Sequence, residues 1–366
     1  MAPRTIEVLR VAGSHREVGR QIGEAFATDI RRATDLTSGS DPIPAGRTLE
    51  QQLSLAARYR AVAERAYPWL LEEFDGCAEA AGVDPLAFFA VSIEEIWYDP
   101  RDRQPIGRCS DLVAGPDATA DGHLLVGHTN DLGPEAEDKI VGIEKTVPGD
   151  PVIFQLGGAP WLSVGFNSSG LALTGNELSP NDERIGISRS LQVFEVMRCR
   201  SVDAALRASL RPDRASSYNN VLTHTDGTVA NVEGSATDAE VTGLEDNGTM
   251  AHTNNYVCER MLDFEGDPAY AAGSQVRYER ARELLAEHRG SIDSGAMRTM
   301  LSDHTTDPSL CRHANGSEPT SKTVFWVVAD ITAQRLTFGR GNPCDSQEQS
   351  YVFPERVDAV ADGRSA

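Results

Sequence analysis

The chain has 366 residues, a formal net charge of -21 and 40% hydrophobic residues. It is long enough for one large domain or two smaller ones and apolar enough to bury a sizeable core, and its acidic balance argues against nucleic acid and anionic membrane as partners. No run approaches the ~20 apolar residues of a membrane span. The stretch Met1 to Val18 has neither an uninterrupted apolar run nor a cleavage-site pattern, which argues against a secretory signal.

The first hundred residues read as helices. Ser14 and Glu17 form a capping box, and Val18, Ile22, Phe26 and Ile30 follow at one-turn spacing. Thr48 and Gln51 repeat the cap ahead of a helix over residues 53–66. Pro68 opens another, with Leu70, Phe74, Cys77 and Ala81 on one face and Gly82 as its stop, so Cys77 fills core. Asp84 and Pro85 start a helix over residues 86–96. Residues 99–107, polar and punctuated by Pro100 and Pro105, read as an exposed, pliable link of the kind a processing site needs.

From Cys109 the texture turns to β. Residues 109–114 and 123–127 flank a stretch ending in Asp121-Gly122, a hairpin signal. Strand-like runs follow at 140–147, 152–156, 162–166 and 171–174, divided by Pro148-Gly149-Asp150, Gly157-Gly158 and Ser168-Ser169-Gly170. Helical patterns return at 191–198 and 202–210. Strands at 219–225 and 228–233 meet at Asp226-Gly227, an acidic loop follows, helices occupy 275–288 and 296–303, and a last strand pair spans 323–330 and 335–338. Helices, many antiparallel strands, helices, then strands predict a layered α+β fold. The one convincing link precedes Cys109, so segments 1–108 and 109–366 form two parts of one intertwined domain.

Gly107-Arg108-Cys109-Ser110-Asp111 is the stretch on which function turns. A thiol is a good nucleophile only as thiolate, and a free Cys has a pKa of about 8.5. An N-terminal α-amine has a pKa of roughly 7.7–8.0. With both on one residue, the amine takes the thiol's proton near neutral pH, as in N-terminal Thr enzymes. That amine exists only once residue 108 is cut away. A lone cysteine is more often a small buried hydrophobe, so the surroundings decide. The six cysteines (Cys77, Cys109, Cys199, Cys258, Cys311 and Cys344) are scattered without a CxxC, which suits free thiols in a reducing cytoplasm.

Several stretches together resemble the acyl-coenzyme A:6-aminopenicillanic acid acyltransferase family of N-terminal-nucleophile (Ntn) hydrolases, relatives of the choloylglycine hydrolases. They are Gly13-Ser14-His15-Arg16-Glu17-Val18-Gly19-Arg20-Gln21-Ile22-Gly23, Glu72-Glu73-Phe74-Asp75-Gly76-Cys77, Cys109-Ser110, and Gly127-His128-Thr129-Asn130-Asp131. Further on come Gly165-Phe166-Asn167-Ser168-Ser169-Gly170-Leu171, Gly175-Asn176, His252-Thr253-Asn254, Asp303-His304, Cys311-Arg312-His313 and Gly341-Asn342-Pro343-Cys344. Each is weak alone; their order from residue 13 to residue 344 is specific. The resemblance implies a four-layer αββα sandwich of two packed, mainly antiparallel sheets. It also implies self-cleavage between Arg108 and Cys109 into an α chain (1–108) and a β chain (109–366).

Roles follow from the same resemblance, each against a plainer alternative. Asp131 holds or orients the Cys109 α-ammonium, or is a turn Asp at a strand end. Asn254 donates to the oxyanion, a contact worth roughly 3 kcal/mol of barrier, or is a turn Asn. Asn255 follows it where relatives carry His. Asn176 is a second oxyanion or substrate contact, or a loop Asn. His128 and Lys322 fall where relatives carry substrate-binding or processing residues; Lys322 lacks the bidentate fork of the Arg found there. Arg108 stands where the best-known relatives have Gly before the scissile bond.

The expected reaction is hydrolysis of a linear amide, or acyl transfer through a Cys109 thioester. Its partners are a small-molecule amide or acyl donor, with acyl-coenzyme A as a conceivable co-substrate, and an amine acceptor. No metal or cofactor is expected. His304, Cys311, His313 and Cys344 are ligand types and Cys311-x-His313 is compact, but their spacing matches no structural zinc pattern. Two other readings stay open: an unprocessed hydrolase pairing Cys109 with His128 or His252, and a non-catalytic binding protein that retains the fold.

Overall fold

The computed structural model describes residues 5–36, 43, 46–97, 108–314 and 321–353; the expected link at 99–107 lies outside them. Strand β1 (Glu7–Ala12) leads into α1 (His15–Ala25), which Ser14 and Glu17 cap as expected, and α2 (Ala27–Ala33) follows. Thr48 and Gln51 cap α3 (Leu49–Ala66), and α4 (Pro68–Ala81) ends on Gly82 in the left-handed conformation. Helix α5 (Pro85–Val91) is shorter than the helix expected over 86–96.

Strands β2 (Arg108–Ala114) and β3 (Leu125–Leu132) pair antiparallel. After a 3-10 turn at Pro134–Lys139 come β4 (Ile140–Thr146), β5 (Ile153–Gly158), β6 (Val164–Asn167) and β7 (Leu171–Asn176). Helices α6 (Arg189–Arg198) and α7 (Val202–Ser209) precede β8 (Asn219–His224) and β9 (Val229–Gly234), which form the expected hairpin. Two short strands, β10 (Ala239–Thr242) and β11 (Thr249–His252), interrupt what read as loop. Helices α8 (Pro268–Glu287) and α9 (Ser294–Leu301) and strands β12 (Lys322–Asp330), β13 (Arg335–Arg340) and β14 (Gln349–Val352) complete the described residues.

The strands form two open sheets, ordered β1-β4-β5-β6-β7-β8-β9-β10 and β11-β2-β3-β12-β13-β14. Neighbours run antiparallel except β1 and β4, which are parallel. Period-2 alternation gives each sheet two apolar faces. Val113, Val126, Val327 and Phe338 of the second sheet meet Phe154, Leu156, Phe166 and Val221 of the first. The first sheet's outer face, with Ile143, Leu173 and Val232, is covered by Ile22, Phe74, Phe88 and Phe194 from the helices before Cys109 and from α6. The second sheet's outer face, with Leu112, Leu125 and Trp326, is covered by Leu285, Met297 and Leu301 of α8 and α9. The protein is therefore an αββα sandwich.

Candidate active site

Cys109 lies near the head of β2, and the pairing with β3 decides what surrounds it. Cys109 faces Asn130 across the ladder, and Asp111 faces His128. Alternate residues share a face, so these four side chains lie on the side of the sheet that also carries Val113 and Val126, towards the first sheet. Asn130 Nδ2 donates to Cys109 Sγ at 3.5 Å, and His128 Nδ1 meets Asp111 Oδ1 at 3.0 Å. Neither His128 nor His252 hydrogen-bonds Cys109 Sγ among the described residues.

Main-chain atoms of Cys109 are clamped from the other side. Its N–H donates to Asn254 Oδ1 at 2.8 Å, and its carbonyl accepts from Arg277 Nη1 at 2.8 Å. Arg277, fully buried on α8, also donates to Ser110 Oγ at 2.8 Å and to Asn254 Oδ1 at 2.7 Å. Two donors converging on one amide atom fix it as the oxygen. Asn254 Nδ2 instead donates to the Glu177 carbonyl at 3.1 Å. Asn254 follows β11, and its N–H is anchored by Ser274 Oγ of α8 at 2.6 Å. The Arg108 guanidinium lies 5.2 Å from the Tyr270 ring centroid, a cation–π seat for the bulky residue before the bond in question.

Asp131 pairs with Arg108 across the ladder and is fully buried. Its Oδ1 accepts from Thr323 Oγ1 at 2.7 Å, while its Oδ2 has no partner. Burial pushes its carboxyl above the usual carboxylate range against the nearby Arg277 charge. Burial also raises the Cys109 thiol, reinforced by the carboxylates of Asp131, Asp111 and Glu177 and opposed by Arg277.

A second network reaches the same face. Asn176 Oδ1 accepts from His252 Nδ1 at 2.9 Å, and His252 Nε2 meets Glu233 Oε1 at 2.8 Å. Burial alone would push the Glu233 carboxyl up. The His252 hydrogen bond and charge and the backbone N–H groups of Val257 and Cys258 outweigh that and hold it below the ordinary value. Asn176 Nδ2 is buried without a partner, as are His128 Nε2, Asp111 Oδ2 and Asn130 Oδ1. Buried polar atoms are normally satisfied, so this concentration of unmet donors and acceptors beside a thiol sets the face apart from the rest of the core. Lys322 heads β12 with its amine on Glu137, and no hydrogen bond joins it to the Cys109 cluster among the described residues.

A hydrogen bond joins Cys109 to Asn254, His128 and Asn176 belong to separate buried pairs with Asp111 and His252, Asp131 sits across from Arg108 on Thr323, and Lys322 is held by Glu137 at the strand margin. Asn130, Arg277, Asp111 and Glu233 were not singled out from the sequence. The β2–β3 register would have revealed Asn130 opposite Cys109. Arg277 gave no such signal, because α8 also carries Arg280 and Arg282, and arginines spaced along a helix read as a solvated face.

This sandwich, with a cysteine heading an interior strand, has the architecture of the Ntn hydrolases. The family model for acyl-coenzyme A:6-aminopenicillanic acid acyltransferase matches residues 118–345, more than half of the chain, beginning just past Cys109. The chain belongs to that family and is by class an amide hydrolase or acyltransferase. Among solved structures, a conjugated bile acid hydrolase from Clostridium perfringens matches with TM-score 0.43 and 11% identity, over 67% of this chain and 97% of that one. An N-acylethanolamine-hydrolyzing acid amidase ortholog from Caenorhabditis elegans gives 0.43 and 15%, over 67% and 100%. Penicillin V acylase from Agrobacterium tumefaciens gives 0.45 and 12%, over 67% and 86%. No curated protein matches the sequence.

Proposed function

We propose that the protein is a self-processing cysteine amidohydrolase or acyltransferase whose nucleophile is Cys109. In the uncut chain Cys109 Sγ attacks the Arg108 carbonyl carbon. The C–N bond breaks, the nitrogen takes a proton, and a thioester joins Arg108 to Sγ. Water then releases Arg108 as a carboxylate and restores the thiol, leaving Cys109 with a free α-amine. That amine is the base the thiol lacks among the described residues. The unpartnered Oδ2 of Asp131, beside the position Arg108 vacates, receives the α-ammonium.

On a substrate amide the amine takes the Sγ proton, Sγ adds to the carbonyl, and the α-ammonium protonates the leaving amine. Asn176 Nδ2, unpaired on the same face, donates to the oxyanion. Asn254, with Oδ1 on the Cys109 nitrogen and Nδ2 on Glu177, holds the amine in place and is the second donor if Nδ2 leaves the Glu177 carbonyl. Water resolves the thioester in hydrolysis. An amine resolves it in transfer, for which acyl-coenzyme A can serve as acyl donor. Six free thiols suit a reducing cytoplasm.

The observation that carries this reading is the double clamp on the main chain of Cys109, nitrogen on Asn254 and carbonyl on Arg277, beside an unpaired buried carboxylate. Intact mass spectrometry of the purified protein tests it. Two species are expected, one ending at Arg108 and one beginning at Cys109, with Cys109→Ala remaining a single inactive chain. A Cys109→Ala protein still split at this bond would sink self-cleavage. The buried Asp111–His128 pair with its open Nε2 favours a second reading, a Cys–His enzyme working uncut. Full amidase activity in unprocessed protein would establish it.

A further inference from the structure

Four side chains that sequence spacing leaves unrelated converge in the fold. His304 and Cys311 lie on the segment after α9, His313 two residues on, and Cys344 on the turn after β13. One ligand-type atom from each falls within 4.8 Å of all the others. Cys311 Sγ and Cys344 Sγ are 3.6 Å apart, and His313 Nε2 is 3.7 Å from Cys311 Sγ, 3.4 Å from Cys344 Sγ and 3.0 Å from His304 Nε2.

Hydrogen bonding does not account for this cluster. An imidazole nitrogen offers one proton or one lone pair, yet His313 Nε2 faces two sulfurs and another imidazole nitrogen at once. A cation at the centre does account for it. Tetrahedral zinc with Zn–S of about 2.3 Å and Zn–N of about 2.05 Å sets S···S near 3.8 Å, N···S near 3.6 Å and N···N near 3.3 Å. Of the tetrahedron's six edges, the four given above lie within a few tenths of an ångström of these values, and the two from His304 to the sulfurs are no longer than 4.8 Å. Two thiolates and two imidazoles in a tetrahedron select zinc over oxygen-seeking cations.

We propose that His304, Cys311, His313 and Cys344 bind one Zn2+ as a closed structural site. Both thiols give up their protons on binding. Asn342, buried, donates through Nδ2 to Cys311 Sγ at 3.4 Å and to the Arg312 carbonyl at 2.7 Å, a hydrogen bond that favours thiolate at Cys311. With all four positions filled by protein, no site is left for substrate or water, so the ion's work is mechanical. It ties the segment after α9 to the turn after β13. The step from there to Asp131 is short: Arg312 N donates to Thr323 Oγ1 at 2.9 Å, Thr323 N donates to the Arg312 carbonyl at 2.9 Å, and Thr323 Oγ1 donates to Asp131. The metal thus fixes the residue that orients the Asp131 carboxylate. This inference stands on the cluster's geometry, and the metal assay is independent of whether Cys109 is a nucleophile.

The test is elemental analysis of the full-length, tag-free protein purified without chelator. About one zinc per chain is expected, lost in Cys311→Ser/Cys344→Ser. Apo protein refilled with Co2+ alone is expected to show the intense visible bands of tetrahedral cobalt and a thiolate charge-transfer band. If the double variant does not fold, the wild-type stoichiometry and the cobalt spectrum still decide. Three results overturn the proposal: zinc well below one per chain with no cobalt spectrum, a Cys311–Cys344 disulfide in peptide maps, or stoichiometric zinc that persists in the folded double variant.

Discussion

In the uncut chain the thiol at Cys109 is poorly prepared to react, since burial and three nearby carboxylates all favour its protonated form. Asp131 shares that environment, and its partnerless Oδ2 costs the fold stability whenever the carboxyl is ionised. An acid whose pKa rises on folding contributes stability at low pH and withdraws it as pH climbs through the raised value. In a Cys109→Ala background, which on the proposed mechanism keeps the chain whole, Asp131→Asn should therefore gain melting temperature relative to its parent as pH rises from about 4, the ordinary Asp value, towards neutrality. Thermal melts over that range check this; a difference that shrinks with pH would place the carboxyl on the other side of its normal value. Asn176 is open to a kinetic test. If its unpaired Nδ2 serves the oxyanion, Asn176→Ala lowers kcat roughly 100- to 1,000-fold with little change in KM, measured by steady-state kinetics on any turned-over amide. Cys109, Asp131 and Asn176 stood out as candidates in the sequence because short motifs carry them. Arg277 was not, because only the packing of α8 against β2 separates it from Arg280 and Arg282.

Helix α1 lies against α4 more closely than side chains usually allow. A Cβ on Gly19 would sit 1.9 Å from the Glu73 carbonyl oxygen, one on Gly23 would sit 2.3 Å from that of Cys77, and one on Gly76 would sit 2.4 Å from that of Arg16. The contact has a purpose, since Glu73 beneath it accepts from Lys145 Nζ at 2.9 Å in a buried pair that joins α4 to β4. Gly19→Ala gains up to about 1 kcal/mol of helix propensity but forces the helices apart, which costs about 1–3 kcal/mol or more. A net loss of melting temperature is expected, and differential scanning fluorimetry reads it. Helices with caps and hairpins with Asp-Gly turns were readable because their signals are local: Ser14 with Glu17, Thr48 with Gln51, Asp226 with Gly227. Strands β1, β11 and β14 were not. Each is at most six residues long; β1 and β11 exist because of partners far along the chain, as Glu7–Ala12 does on Val141–Thr146, and β14 is four residues laid on the neighbouring β13 with no hairpin signal between them.

Across the whole molecule, the segment before Cys109 is woven into the rest. It supplies the edge strand β1, most of one helical layer, and Glu95, which accepts from Ser188 Oγ at 2.6 Å, Arg189 N at 2.9 Å and Ser216 Oγ at 2.8 Å. The two pieces should stay together after the chain is cut, co-eluting in size-exclusion chromatography under native conditions and parting only in denaturant. Early separation without denaturant would mean that the buried contacts do not hold the halves.

The parallel pairing of β1 with β4 also bears on how the gene can be divided. If the two pieces hold together once cut, no covalent bond at Arg108 is needed to seat β1, and the two segments can be translated from separate messages and meet by strand addition. A second message beginning Met-Cys109 would expose the cysteine amine by ordinary removal of the initiator methionine. The protein could then be assembled in trans from two half-genes without ever performing its own cleavage.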